Sequence, residues 1–257
     1  MSAQQQYIAF YTIFRKETVR IIRIWPQTLL PPIITQALYF LIFGKFIGSQ
    51  ISDINGISYM AFIVPGLVMM SVINNSFTNV VGSFFSAKFQ RSIEEILVAP
   101  VSEYALIAGY VAGGVFRGLM CGILVFIVSI FFTHPVIHHL GLIILFIALT
   151  AVVFSLGGLM NAIFAKKFDD VSIFPTFVLT PLIYLGGVFY SIGSLPEHWQ
   201  FISRLNPILY MVNGFRFGFH GISDVHIGVS LAILISFAAV LLVINLVLLR
   251  KGVGLKV

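Results

Sequence analysis

The chain is poor in the groups that do chemistry. Its 257 residues include one cysteine and nine aspartates and glutamates, and charged residues of both signs make up 9% of it, against about 25% in a soluble domain. The single cysteine, Cys121, excludes an internal disulfide; set in an apolar run, it reads as a small buried hydrophobe. No Gly-x-x-x-x-Gly-Lys-Ser/Thr phosphate loop occurs, and Gly44-Lys45-Phe46 lacks both the leading glycine and the hydroxyl, so ATP is not bound by that route. His-Glu-x-x-His and Gly-x-Ser-x-Gly are missing too. His134 and His138 stand four apart, but Pro135 between them spoils a metal-binding helix, and surface histidines are the ordinary reading. Neither a catalytic constellation nor a metal site is expected in this chain.

What is present is apolar. Hydrophobic residues make up 59% of the sequence and the mean hydropathy is +1.03, values that belong to an all-α integral membrane protein. A bilayer core takes roughly 20 apolar residues per helix. Six runs qualify: 28–46, 59–85, 104–132, 140–164, 171–189 and 227–249. An even number puts both termini on one side. The first 25 residues lack a short apolar core followed by small residues, so no cleavable signal peptide is expected.

Lysine and arginine choose the side. Arg15, Lys16, Arg20 and Arg23 precede the first span; Lys88 and Arg91 join the second to the third; Lys166 and Lys167 join the fourth to the fifth; Arg250, Lys251 and Lys256 follow the sixth. The other side holds only Lys45, Arg204 and Arg216, with all six histidines. Both termini are therefore expected in the cytoplasm. The net charge of +6 follows this topology and does not call for a nucleic-acid partner.

Four segments outside the spans stand out. In residues 1–26, Tyr7, Phe10, Phe14, Ile21 and Trp25 line one helical face and Lys16, Arg20 and Arg23 the opposite one, as in a helix lying against anionic headgroups, with Pro26 closing it. Residues 88–100 form a charged island. Phe89, Ile93, Ile96 and Leu97 recur on one face, while Lys88, Arg91, Glu94 and Glu95 lie off it, with Arg91 one turn from both glutamates, and Pro100 ends the helix. The connection Lys166-Lys167-Phe168-Asp169-Asp170 reads either as a solvated turn or as a second contact for whatever grips the island. Residues 190–225 are too long for an ordinary connection. They are apolar yet broken by glycine and proline, as two short helices re-entering the outer leaflet would be.

The third span carries Gly109, Gly113, Gly114, Gly118 and Gly122, spacing that lets another helix approach closely, within the protomer or across a dimer. Among them sits Arg117, near mid-membrane, where a charge costs roughly 2.5–3.5 kcal/mol on insertion scales. It reads either as a contact for an anionic substrate or as a structural arginine bonded to carbonyls and to Asn74, Asn75, Asn79 or Asn161. No acidic residue is expected at its depth.

From 179 to 216 the sequence is LTPLIYLGGVFYSIGSLPEHWQFISRLNPILYMVNGFR. Leu179, Leu182, Leu185, Gly186, Val188, Leu195-Pro196, Pro207-Ile208, Tyr210 and Arg216 resemble, at matching spacing, the signature of the ABC-2 type permeases. Glu94-Glu95-Ile96-Leu97-Val98-Ala99-Pro100 resembles the first coupling helix of that family. The resemblance implies an exporter subunit of the bacterial inner membrane, residues 1–26 as a connecting helix and 27–257 as the transmembrane domain. It implies a homodimer worked by separate cytoplasmic ATPase subunits, which would carry the ATP and Mg. Lys88, Phe89, Arg91, Ile93, Glu94, Glu95, Pro100, Lys166, Asp169 and Asp170 then become the coupling residues, with Phe89 and Ile93 as apolar anchors. Arg117, Asn74 and Asn161 become candidates for the path or for helix packing. The implied cargo is amphiphilic: lipid-like, glycan or drug-like. The rivals are a channel or secondary transporter that needs no ATPase, for which paired intramembrane acids are wanting, and a membrane scaffold that docks proteins through the island.

Overall fold

The computed structural model describes residues 3–54, 56–99 and 101–254; Pro100 and Lys256 lie outside the described residues. The described residues form helices and short connections, with a single isolated bridge between Ile54 and Ile57 in place of any strand. Among the described residues, five helices are long and apolar enough to cross a membrane: Trp25–Gln50, α3 (Tyr59–Phe89), α5 (Glu103–Ile130), α6 (Leu140–Phe164) and α11 (Ile227–Arg250). The first begins as α2 (Trp25–Tyr39) and widens into a π-helical stretch, Phe40–Ile47. Ahead of it lies α1 (Ala3–Arg23), one residue away, and Pro26 opens α2 as a proline in the first turn does.

The fifth apolar run, expected over 171–189, is shorter and broken. It comprises α7 (Phe168–Phe174), a π-helical stretch Pro175–Leu179 and α8 (Thr180–Tyr184), so its helix stops five residues before the expected end. Proline explains the break: Pro175 and Pro181 each lack an N–H for the α-helical ladder. Beyond it, the 190–225 stretch contains α9 (Glu197–Arg204) and α10 (Pro207–His220). Asn206 caps α10 by accepting from the Ile208 N–H at 3.0 Å.

The centre of the bundle is α3, buried along most of its length against α5 and α6. In lipid the helices gain nothing from hiding apolar surface, so close backbone contact does the work. The glycines of α5 provide it, inside the protomer. A Cβ on Gly109 would lie 2.6 Å from Ile13 Cγ2 and one on Gly113 2.6 Å from Glu17 Cβ, so both seat α1. Gly114, Gly118 and Gly122 lie against α3 and α6. Near its start α3 contains Pro65, which leaves the Ala61 carbonyl without its usual N–H partner. His220 of α10 takes that place, its Nε2 3.0 Å from the Ala61 oxygen.

Contacts sort the helix ends. At one end, Gln6 accepts from the Ser102 N–H at 3.1 Å, Arg250 donates to the Tyr104 hydroxyl at 3.3 Å, and the last turn of α3 meets the end of α6. This basic end gathers the starts of α1 and α5 with the end of α11. At the opposite end, the His138 and His139 N–H groups donate to Gly218 O at 3.0 and 2.8 Å.

Candidate coupling ledge and membrane groove

At the basic end α3 runs on to Phe89, four residues past the expected end of the span, so the first two island residues belong to it. Gln90 and Arg91 then turn the chain, Arg91 with φ of 59°, a left-handed conformation costing a non-glycine residue about 1 kcal/mol or more. The second island helix, α4 (Ser92–Val98), follows.

This break reassigns the island's faces. Lys88, expected on the solvated side, is 3% exposed. Its Nζ donates to Ile163 O at 2.8 Å and Ala165 O at 2.6 Å, carbonyls left over where α6 ends. Ile93, expected as an anchor for a partner, is 1% exposed and belongs to the protomer's own core. Both are thus corrected to internal contacts. Glu94 and Glu95 are exposed, as is Arg91. The expected pairing of Arg91 with these glutamates is not formed: among the described residues the one ion pair is Arg20–Glu17. Glu95 and Lys16 both line a cleft of about 420 Å³ between α4 and α1.

Phe89, outside α4, still faces outward, and it joins the two cytoplasm-assigned connections. Its ring centroid lies 4.8 Å from that of Phe168, edge to face, and both rings are more than half exposed. Beside them Asp170 Oδ2 accepts from the Lys166 and Lys167 N–H groups at 2.8 and 3.0 Å, closing the turn before α7. Asp169 stays exposed. The two backbone donors, ahead of Lys167 and Lys166 as charges, hold the Asp170 carboxyl below the usual aspartate range. A depressed carboxyl stabilises the folded turn at neutral pH, and this contribution is lost as pH falls through its folded value. Asp170→Asn is therefore expected to flatten the acid limb of the thermal-stability profile below about pH 4, with little change at pH 7 in the slope itself. A profile parallel to wild type throughout that limb would refute the assignment.

Deeper in, α1 carries a side chain with no sequence-based assignment. Ile13, Glu17 and Ile21 form the stripe that packs on α5 and α3, and Glu17 is 0% exposed. Its carboxylate accepts from Arg20 Nη2 at 2.6 Å and from the hydroxyl of Ser83. Arg20 also donates to Asn79 Oδ1 at 2.9 Å. An acid therefore does lie one turn from Arg117 along α5, contrary to expectation, but it is saturated by its own arginine.

Arg117 projects midway along α5 into a cavity of about 280 Å³ between α2 and α3. Gln36, Asn74, Asn75 and Thr78 share that wall. Asn161, expected near it, is elsewhere, donating to Val171 O at 3.3 Å. Asn74 and Asn75 donate to Met70 O and Ser71 O in their own helix, at 3.0 and 2.9 Å. Between Met70 and Lys88, the positions of α3 that are not buried are Asn74, Thr78, Gly82 and Ser86, a small and polar stripe at four-residue spacing. Gln36 was missed because one amide in an apolar run gives no periodic signal. Glu17 had such a signal, an acid inside the apolar i, i+4, i+8 row of Ile13 and Ile21.

The signature residues serve the far end. Gly187, at φ of +75°, turns its carbonyl to accept from Arg216 Nη2 at 2.6 Å. The Arg216 guanidinium lies 3.9 Å from the Phe62 ring centroid. A Cβ on Gly186 would lie 2.7 Å from Ile208 Cγ2. Tyr210 donates to Arg204 O at 2.7 Å, Pro196 precedes α9 and Pro207 opens α10. Arg216, expected on the outer surface, is buried and ties α10 to α3.

A multi-pass helical bundle with an exposed ledge at its basic end and a polar groove between α2 and α3 fits a transport permease. The chain belongs to the ABC-2 type transporter family, whose model matches residues 8–220. It is 56% identical over 250 residues to the inner membrane transport permease YadH of Escherichia coli K12, covering 97% of this chain and 98% of that protein. It is also 25% identical over 215 residues to nodulation protein J of Rhizobium meliloti, covering 83% and 82%. The chain is an ABC-2 type transport permease, a multi-pass protein of the bacterial inner membrane and a membrane component rather than an enzyme.

Proposed function

We propose that the chain is the membrane half of an ABC exporter, driven by separate cytoplasmic ATPase subunits that supply the ATP and Mg and act on a homodimer of this permease. The observation that carries this is the single ledge formed where the Phe89 and Phe168 rings meet. It joins the island to the second connection, and Lys88 fixes it to the ends of both α3 and α6. A push on the ledge would reach two long helices at once. Glu94, Glu95, Arg91 and Asp169 offer exposed charge for the ATPase, with Phe89 and Phe168 as apolar contacts between them.

In this reading the basic end is cytoplasmic and 168–184 is the fifth of six crossings, at ~1.5 Å per residue a little short of a ~30 Å hydrocarbon core. Residues 1–26 are the connecting helix, 27–257 the transmembrane domain, and 190–225 re-enter the outer leaflet. The polar stripe Asn74–Thr78–Gly82–Ser86 does not suit lipid, so it faces the second copy or the path between copies. The cargo is an amphiphile: lipid-like, glycan or drug-like.

Glu94→Ala combined with Glu95→Ala is expected to reduce co-purification of the ATPase about tenfold or more while leaving the melting temperature of the permease unchanged, since neither side chain has an internal partner. Undiminished co-purification and transport would sink the coupling assignment.

A further inference from the structure

We propose that the cavity at Arg117 binds a phosphate-type anion, the headgroup of a membrane amphiphile. The proposal rests on the permease reading for its setting and adds the chemistry of the ligand.

Charge balance leads to it. Arg117 places a guanidinium halfway along a spanning helix, and its described neighbour of note is the thiol of Cys121 one turn on, which carries no counter-charge. Its Nε has no hydrogen-bond partner. The nine acidic residues of the chain cannot serve it. Glu17 is the only acid at comparable depth, and it is bonded to Arg20 and Ser83. Glu94, Glu95, Glu103, Asp169 and Asp170 sit at the basic end; Asp53, Glu197 and Asp224 sit at the other. A second copy of the chain would bring the same nine, so dimerisation does not supply the missing anion. Glu17, Arg20 and Arg117 together leave one positive charge inside the bundle, where isolated charge is costly.

The cavity walls match an oxyanion with polar substituents. Gln36 is 4% exposed and its Oε1 is unpartnered, an acceptor waiting for a donor such as a headgroup hydroxyl. Asn74, Asn75 and Thr78 add further polar atoms on the α3 side. At about 280 Å³ the cavity suits a headgroup and not a whole drug-sized body. Its rim at Thr35 and Thr78 is exposed, so a tail can leave between α2 and α3. Guanidinium with phosphate is the strong, geometrically matched pair for this task.

The full-length permease, purified in a neutral detergent, would be titrated with phosphatidylglycerol and with phosphatidylethanolamine of identical chains, and bound lipid counted by native mass spectrometry. Wild type is expected to prefer phosphatidylglycerol about tenfold or more, and Arg117→Gln to lose that preference. Arg117→Lys should retain part of it. Arg15→Gln with Lys16→Gln, which removes surface charge on α1, should leave it in place. If Arg117→Gln fails to fold, Thr78→Trp, made from an exposed rim position, should block the site instead. Competition by tailless glycerol phosphate would identify a free anion as the ligand source, and competition by the tailed lipid alone a headgroup; either supports the anion site. Equal binding of the two lipids by wild type, or a preference that survives both Arg117→Gln and Thr78→Trp, would overturn it. The readout needs no ATPase or transport. Failure of ATPase docking with this binding intact would count against the coupling reading alone, and the converse against this site alone.

Discussion

Glu17→Ala is expected to lower the stability of the permease by about 3 kcal/mol, the low end of the range for breaking a buried pair. The low end applies because the Arg20 side chain is 31% exposed and can reach out to water, while the Glu17 side chain is fully enclosed. The substitution removes the acceptor of Arg20 and of Ser83 together, and leaves an empty volume against Gly113. Helix α1 should loosen first, since Ile13 and Ile21 would remain as its only buried anchors. Glu17→Gln keeps the shape and one acceptor oxygen and should lose less than half as much. Thermal unfolding of the purified protein, with proteolysis of α1 as a local probe, checks both. If Glu17→Ala melted with wild type, the buried network would have no part in holding α1.

Lys88→Met should cost a similar amount, about 2–3 kcal/mol, from the loss of charge-assisted bonds to the Ile163 and Ala165 carbonyls. Those oxygens close α6, and a cation there also meets the negative end of the helix. The methionine fills the space but donates nothing. The expected phenotype is the inverse of that for Glu94→Ala with Glu95→Ala: a lower melting temperature and a ledge no longer fixed to α6, with the exposed docking charges untouched. A normal melting temperature for Lys88→Met would place the lysine outside the fold's support.

Much of this fold is legible in hydropathy alone. The runs that became α3, α5, α6 and α11 are long, and their ends fall within a few residues of the structure. The island was harder because charge is read as solvent exposure. A lysine beside an interface satisfies two carbonyls as readily as water does, so Lys88 was assigned to the wrong side. The fifth run failed differently: Pro175 and Pro181 interrupt the ladder without lowering the average hydropathy. At the groove, Arg117 was conspicuous as a lone charge in a span. Its neighbours depend on how α2 leans on α3, a tertiary fact that no spacing within one helix encodes, which is why Gln36 was missed and Asn161 wrongly included.

The joint at Pro65 has a mechanical consequence. Over ~45 Å of rise, α3 is a single shaft from the ledge to the far cap. A shaft delivers displacement wherever it is first able to flex, and the proline makes that place the level of Ala61. There the loose carbonyl is clasped by His220. The stroke would not dissipate in a free hinge. It would be handed to α10, so that helix at the far end would move with the same step that begins at the ledge.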